Sequence, residues 1–191
     1  MTLAEAVRFI HDAVEPGPYR WADLGAGPGV FTEALAHLLG AAGEVVAVDR
    51  DPSAIRALEA LAARLPAGTA AVRVVAADLR DLSSVPGLAG VTLDGALLGN
   101  VLHFFPDPSR LLTETVARLT TNGRVVVVEY GDAKPNRWVP HPVPFPRLRE
   151  LASEEGLALR VIGERPSRYQ RGALYCAVLE RADPAERASP R

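Results

Sequence analysis

Cysteine is nearly absent: Cys176 is the one example in 191 residues. No internal disulfide can form, which excludes a disulfide-stapled scaffold. Cys176 stands beside Leu174, Tyr175, Ala177 and Val178, the setting of a small buried hydrophobe. No apolar run approaches the ~18 residues of a membrane span. Met1 to Val14 lacks the basic-then-apolar layout and cleavage site of a secretion signal. The expected location is therefore cytoplasmic, with no membrane partner. An excess of either charge is also lacking. The formal net charge is −2, too little to draw the chain to a nucleic-acid backbone. The charge is uneven, however: residues 1–130 carry 10 basic and 15 acidic side chains, and residues 131–191 carry 11 and 8. Arg160, Arg165, Arg168 and Arg171 lie close together in that basic third and are read as a solvated hairpin face. The four histidines and one cysteine show no metal-ligand spacing, so no metal site is expected.

What is present is concentrated at Trp21-Ala-Asp-Leu-Gly-Ala-Gly-Pro-Gly29. An apolar entry, an acid and three glycines at alternate positions describe a strand ending in a tight turn, with a helix opening at Val30. Glycines let a ligand approach the backbone closely, and the helix start behind them presents free N–H groups. The dinucleotide fingerprint is Gly-x-Gly-x-x-Gly. The spacing here is Gly25-x-Gly27-x-Gly29, and Asp23 stands where a pyrophosphate would be repelled. No Gly-Lys-Ser/Thr follows, so this is not a phosphate-cradling P-loop. A dinucleotide is disfavoured and a cationic ligand favoured.

The rest alternates strand and helix, the pattern of a parallel sheet covered on both faces. A first helix is expected over Thr2 to Val14, ended by Pro16-Gly17-Pro18. Strands are expected at Tyr19–Leu24, Glu44–Val48, Val72–Ala76, Thr92–Leu98 and Arg124–Tyr130. The last contains four consecutive valines, as a strand buried on both faces should. Helices are expected from Val30 to Leu39, from Pro52 with Ile55, Leu58, Ala62 and Leu65 on one face, from Pro108 to Leu119, and from Phe145 to Glu155. Asn122-Gly123 reads as a turn. Residues 131–146 hold five prolines together with Trp138 and His141, the composition of a stiff packed loop rather than a spacer. Leu157–Gly163 and Ala173–Glu180 read as an antiparallel pair. Residues 1–181 are expected to form one domain and 182–191 a disordered tail.

The motifs resemble those of the class I, Rossmann-like S-adenosylmethionine-dependent methyltransferases. Asp23-Leu-Gly-Ala-Gly-Pro-Gly29 is similar to their first motif, and Val45-Val-Ala-Val-Asp49 to their second. Val72-Arg-Val-Val-Ala-Ala-Asp78 is similar to the third, and Leu93-Asp-Gly-Ala-Leu-Leu-Gly-Asn100 to the fourth strand and its exit. The likeness spans about residues 20–180. It implies an α/β fold, a doubly wound seven-stranded, mostly parallel sheet of order 3-2-1-4-5-7-6 with strand seven antiparallel, in three α/β/α layers. It implies S-adenosylmethionine as cofactor and S-adenosylhomocysteine as product. Asp49 would accept the ribose hydroxyls, Asp78 would face the adenine amino group, and Arg50 and Leu79 would flank the ring. Gly25, Ala26, Gly27 and Gly29 would form the cradle. Asp23 would orient that loop or reach the methionine ammonium through water. Asn100 would support cofactor or substrate through its amide. The expected partner is a small-molecule methyl acceptor, and a homodimer is left open. An RNA or protein acceptor, or a cofactor-binding protein without turnover, are the alternatives. Catalytic candidates are His103, near neutrality in its ordinary titration, His141 and Tyr130. The other reading of His103 is a structural histidine satisfied by backbone at the start of a helix. Trp138 and His141 are expected near the methyl end, as a wall of the acceptor pocket.

Overall fold

The computed structural model describes residues 1–167 and 172–181. The seven strands are β1 (Arg20–Leu24), β2 (Glu44–Asp49), β3 (Ala71–Ala76), β4 (Leu93–Gly99), β5 (Leu119–Tyr130), β6 (Leu157–Pro166) and β7 (Ala173–Arg181). They form one sheet of order β3-β2-β1-β4-β5-β7-β6. The first five are parallel, and β7 runs antiparallel to both β5 and β6. This is the expected order and the expected direction of strand seven. The helices are α1 (Leu3–Ile10), α2 (Val30–Leu39), α3 (Pro52–Arg64), α4 (Ser109–Val116) and α5 (Phe145–Glu154).

Alternation along the strands divides the core between two layers. Val125 and Val127 of β5 face a cluster containing Leu111, Leu112, Leu148 and Leu151, under α4 and α5. Val126 and Val128 face the opposite cluster, with Ile10, Phe31 and Leu35 from α1 and α2. The valine run is thus buried on both faces, as a central strand requires. α3 lies over Ala47, on the α2 side, through Leu58 and Leu61. Its fully buried line is Ala54, Leu58 and Leu61; Ile55, Ala62 and Leu65, expected on that line with Leu58, are half-buried.

Three boundaries differ from expectation. The first helix stops at Ile10 and tightens into a 3-10 turn over His11–Ala13. Its start is a capping box, Thr2 Oγ1 accepting from the Glu5 N–H while Glu5 accepts from the Thr2 N–H. α4 ends at Val116, because β5 begins at Leu119 rather than Arg124. Leu119 pairs with Leu93, and pairing resumes only at Gly95 with Arg124. Asn122-Gly123 is therefore an irregularity within the strand and not a turn before it. A Cβ at Gly123 would stand 2.9 Å from the Leu119 Cβ and 3.0 Å from the Leu93 carbonyl oxygen, so a larger residue there would push on the backbone of this irregularity. β6 continues to Pro166, beyond Gly163. The expected tail from Ala182, and Arg168 and Arg171, lie outside the described residues. Among the described residues no helix is long and apolar enough to cross a membrane.

Candidate cofactor cleft and catalytic residues

Strand order reverses between β1 and β4, and loops leaving the carboxyl ends there form a cleft, the usual ligand position in such sheets. The glycine loop is stitched to β2: the Gly25 and Ala26 N–H groups both donate to the Val48 carbonyl, at 2.8 and 3.0 Å. The three glycines do different things. A Cβ on Gly25 would lie 2.5 Å from Val101 Cγ2, and one on Gly29 would lie 2.7 Å from Leu61. Those two positions are kept bare so that the β4 exit and α3 can close in. Gly27, at φ +54°, has nothing within 4 Å of its would-be Cβ and faces open space. It is the point at which a ligand can reach backbone.

The strand-end acids are arranged around this loop. Asp49 accepts the Gly27 N–H at 2.7 Å and the Asp51 N–H at 2.9 Å, one on each carboxylate oxygen. Asp51 in turn caps α3 through the Ser53 and Ala54 N–H groups. Asp23 is only 1% exposed and lies beneath the loop, outside the cleft lining. The Thr32 hydroxyl donates to it at 2.6 Å, tying the end of β1 to the first turn of α2. Burial pushes its carboxyl up to about 7, opposed by the Thr32 hydrogen bond and reinforced by the Asp49 charge. Asp78 accepts from the Arg80 guanidinium at 2.6 Å and from Arg50 at 3.2 Å. The Arg80 hydrogen bonds hold its carboxyl well below the usual carboxylate range.

At the exit of β4, Asn100 is the one non-glycine residue at positive φ, +55°, among the described residues. Its N–H donates to the Val128 carbonyl at 2.8 Å. Its side-chain Oδ1 is buried without a partner, and no other buried side-chain oxygen or nitrogen among the described residues lacks one. Strain and an unpaired acceptor together are costly unless the position serves a ligand. A 3-10 turn over Leu102–Phe104 follows. His103 is 2% exposed and Phe104 is 55% exposed. The His103 ring packs 4.3 Å from Phe104 and 5.9 Å from Tyr130. Its Nδ1 is bonded to Glu129 at 2.7 Å.

The cleft holds about 320 Å³ and is lined by Gly25, Gly27, Asp49, Arg50, Asp78, Leu79, Arg80, Val101, Phe104, Phe105 and others of the same loops. Of the residues expected to hold the cofactor, Gly25, Gly27, Asp49, Arg50, Asp78 and Leu79 line it, while Ala26, Gly29 and Asn100, like Asp23, do not. Trp138 and His141 do not line it. Trp138 is 65% exposed, with the Arg137 guanidinium 4.4 Å above its ring. His141 is exposed, and its backbone N–H donates to the His103 carbonyl at 3.0 Å. The proline segment therefore braces the His103 turn through its main chain. Sequence reasoning missed Arg80 in the cleft wall, and Glu129 as the partner of His103. A larger concavity of about 540 Å³ lies at the opposite edge of the sheet, near Tyr19, Asp94 and Arg124. Its charged groups are already engaged, Asp94 by the Arg20 N–H at 2.9 Å and Arg124 by Glu15 at 3.6 Å. No positive-φ glycine lines it. The smaller cleft, by contrast, is lined by Gly25 and Gly27, both at positive φ.

This fold and cleft define the class: the architecture is that of the Rossmann-like, class I S-adenosylmethionine-dependent methyltransferases. Residues 22–125 match the family described as "Methyltransferase domain", and the chain belongs to it. Among solved structures it is similar to an arsenic(III) S-adenosylmethionine methyltransferase from Chlamydomonas reinhardtii. The TM-score is 0.71 at 19% identity, over 90% of this chain and 66% of that one. It is also similar to the magnesium protoporphyrin IX methyltransferase of Synechocystis PCC 6803 with bound S-adenosylmethionine. There the TM-score is 0.67 at 16% identity, over 93% of this chain and 77% of that one. The YcgJ protein of Bacillus subtilis gives 0.68 at 16% identity, over 94% and 100%. No curated protein matches the chain.

Proposed function

We propose that this protein binds S-adenosylmethionine in the cleft and transfers its methyl group to a diffusible small molecule in the cytoplasm, releasing S-adenosylhomocysteine. The carrying observation is the Gly27–Asp49 pair. Gly27 opens onto free space, and Asp49 is anchored beside it by two backbone N–H groups. Each oxygen of that carboxylate keeps a lone pair for a ribose hydroxyl. Leu79 and Val101 supply the apolar slot for adenine, with Asp78 and Arg50 at its edge. The unpaired Asn100 Oδ1 is the acceptor suited to the methionine ammonium. Asp23 acts from below, by holding the cradle to α2 through Thr32. When bound, the cofactor supplies an electrophilic methyl group on a sulfonium. The chain's part is to hold the acceptor in line, exclude water and accept a proton. His103, Tyr130 and His141 are the candidates for that proton, and His103, on the turn between Val101 and Phe105 of the cleft wall, is the best placed of them.

The small-molecule acceptor is supported by two of the similar proteins, whose names give arsenic(III) and magnesium protoporphyrin IX as what they methylate. Calorimetry with S-adenosylhomocysteine, followed by turnover of methyl-labelled S-adenosylmethionine with a cell-extract fraction of small molecules, tests the reading. Binding with label transfer into that fraction is expected. Binding without transfer to any fraction would leave only a cofactor-binding protein, and transfer into RNA or protein would replace the acceptor class.

A further inference from the structure

Three carboxylates line the cleft, Asp49, Asp51 and Asp78, and among the described residues only Asp78 is paired with guanidinium groups. Its Oδ2 accepts from Arg80 Nη2 at 2.6 Å, from Arg80 Nε at 3.0 Å and from Arg50 Nη1 at 3.2 Å. Its Oδ1 accepts the Arg80 backbone N–H, at 3.0 Å. A carboxylate oxygen offers about two acceptor sites. Oδ2 is therefore overfilled, and one site is left on Oδ1. Arg50 and Arg80 line the cleft themselves, so both cations stand where a base would approach Asp78.

The bonds to Asp78 are of two kinds. The backbone bond belongs to the turn after β3 and does not depend on which side chain stands at position 80. The guanidinium bonds are carried by long side chains, 73% exposed for Arg80 and 66% exposed for Arg50, and neither cation has a second carboxylate partner among the described residues. Exposed pairs of this sort are weak and screened by salt. Asp78 is thus anchored, while its cations can be displaced into water at small cost.

We propose that Arg80 is a specificity-determining residue that reads position six of the cofactor's purine: it leaves Asp78 to admit an amino group, and stays to donate to a carbonyl. This rests on the methyltransferase reading above, with adenine in the slot of Leu79 and Val101. The adenine amino group is a donor, as the guanidinium is, so the two compete for Oδ2. A hypoxanthine carbonyl in the same place is an acceptor. Bare Asp78 would repel it, and an Arg80 N–H not used by Asp78 matches it. Arg80 therefore narrows the preference of the cleft for adenine and lets it take a 6-oxo purine as a second class of ligand.

The test is calorimetry with S-adenosylhomocysteine and its deaminated counterpart, S-inosylhomocysteine, on the wild type and on Arg80→Met. Methionine keeps the apolar stem and the backbone N–H and removes the charge. The variant should bind S-adenosylhomocysteine about 2- to 5-fold more tightly, the size of a weak exposed pair. It should bind S-inosylhomocysteine several-fold more weakly, so that the preference for adenine widens by about 10-fold. Should Arg80→Met fail to fold, Arg80→Ala should give the same directions. A preference unchanged within about 2-fold would mean that the amino group uses the free site on Oδ1, and weaker S-adenosylhomocysteine binding in the variant would mean that Arg80 assists adenine. Either result would overturn this inference alone. No binding of either compound to the wild type would overturn the reading beneath it and this inference with it.

Discussion

The two buried carboxylates among the described residues, Asp23 and Glu129, stand at the carboxyl ends of β1 and β5 and are treated differently. Asp23 faces a neutral hydroxyl, Thr32, nine residues along the chain, and burial pushes it up to about 7. Glu129 faces an imidazole and a backbone N–H, both from a residue 26 positions away. The first arrangement is local and fastens a strand to the helix that follows it. The second joins two strands' exits and fixes the direction of a side chain. Buried charge on the β1 side thus serves the shape of the cradle. The buried carboxylate on the β5 side fixes the direction of the His103 ring.

The largest effect should come from filling the cradle. Gly27→Val places a branched side chain into the open space at φ +54°, so binding of S-adenosylhomocysteine should fall at least ~100-fold while the far-ultraviolet circular dichroism is kept. An undiminished ligand-induced thermal shift in a folded variant would remove the loop from the cofactor site.

Next is the pH dependence created by Asp23. Its folded value lies above its unfolded one, so between about pH 4 and pH 7 the native state holds more protons and stability falls as pH rises. Asp23→Asn keeps an acceptor oxygen for Thr32 and removes that dependence. Denaturant titrations should show wild type losing about 4 kcal/mol relative to the variant across this window. Parallel pH profiles would show that Asp23 is not held in this state, and the contrast with Glu129 would dissolve.

Asp49→Ala comes third. Loss of the two ribose acceptors should weaken S-adenosylmethionine by about 2–4 kcal/mol in calorimetry, and wild-type-like affinity would end the ribose assignment. The smallest effect is expected at Arg80. Its side chain is 73% exposed although it bonds Asp78, so Arg80→Ala should leave the denaturant midpoint of unfolding close to that of the wild type. A larger loss would mean that the Asp78 pair holds the cleft wall together.

The same comparison explains what could be read in the sequence. The glycine loop, Asp49 and Asp78 were legible as strand ends because each lies within a few residues of an apolar run; the roles expected of the two acids came by resemblance. The sheet order came by resemblance rather than periodicity. β5 started early because Leu119 pairs with Leu93 across an irregularity that no local pattern announces. Glu129 was missed although the signal was present, a carboxylate directly after four valines. Its partner lies on another strand's exit, and only the pairing of β4 with β5 brings them together. Trp138 and His141 were expected in the pocket wall on aromatic content, but the prolines present Trp138 to solvent and leave the main chain of His141 to make the contact.

The most direct test of the central claim is calorimetry of the purified protein with S-adenosylmethionine, S-adenosylhomocysteine and NAD in turn. The spacing of Gly25, Gly27 and Gly29, with Asp49 anchored beside them, predicts saturable one-to-one binding of the first two and none of the third. Binding of NAD, or no binding of either sulfur compound, would contradict it.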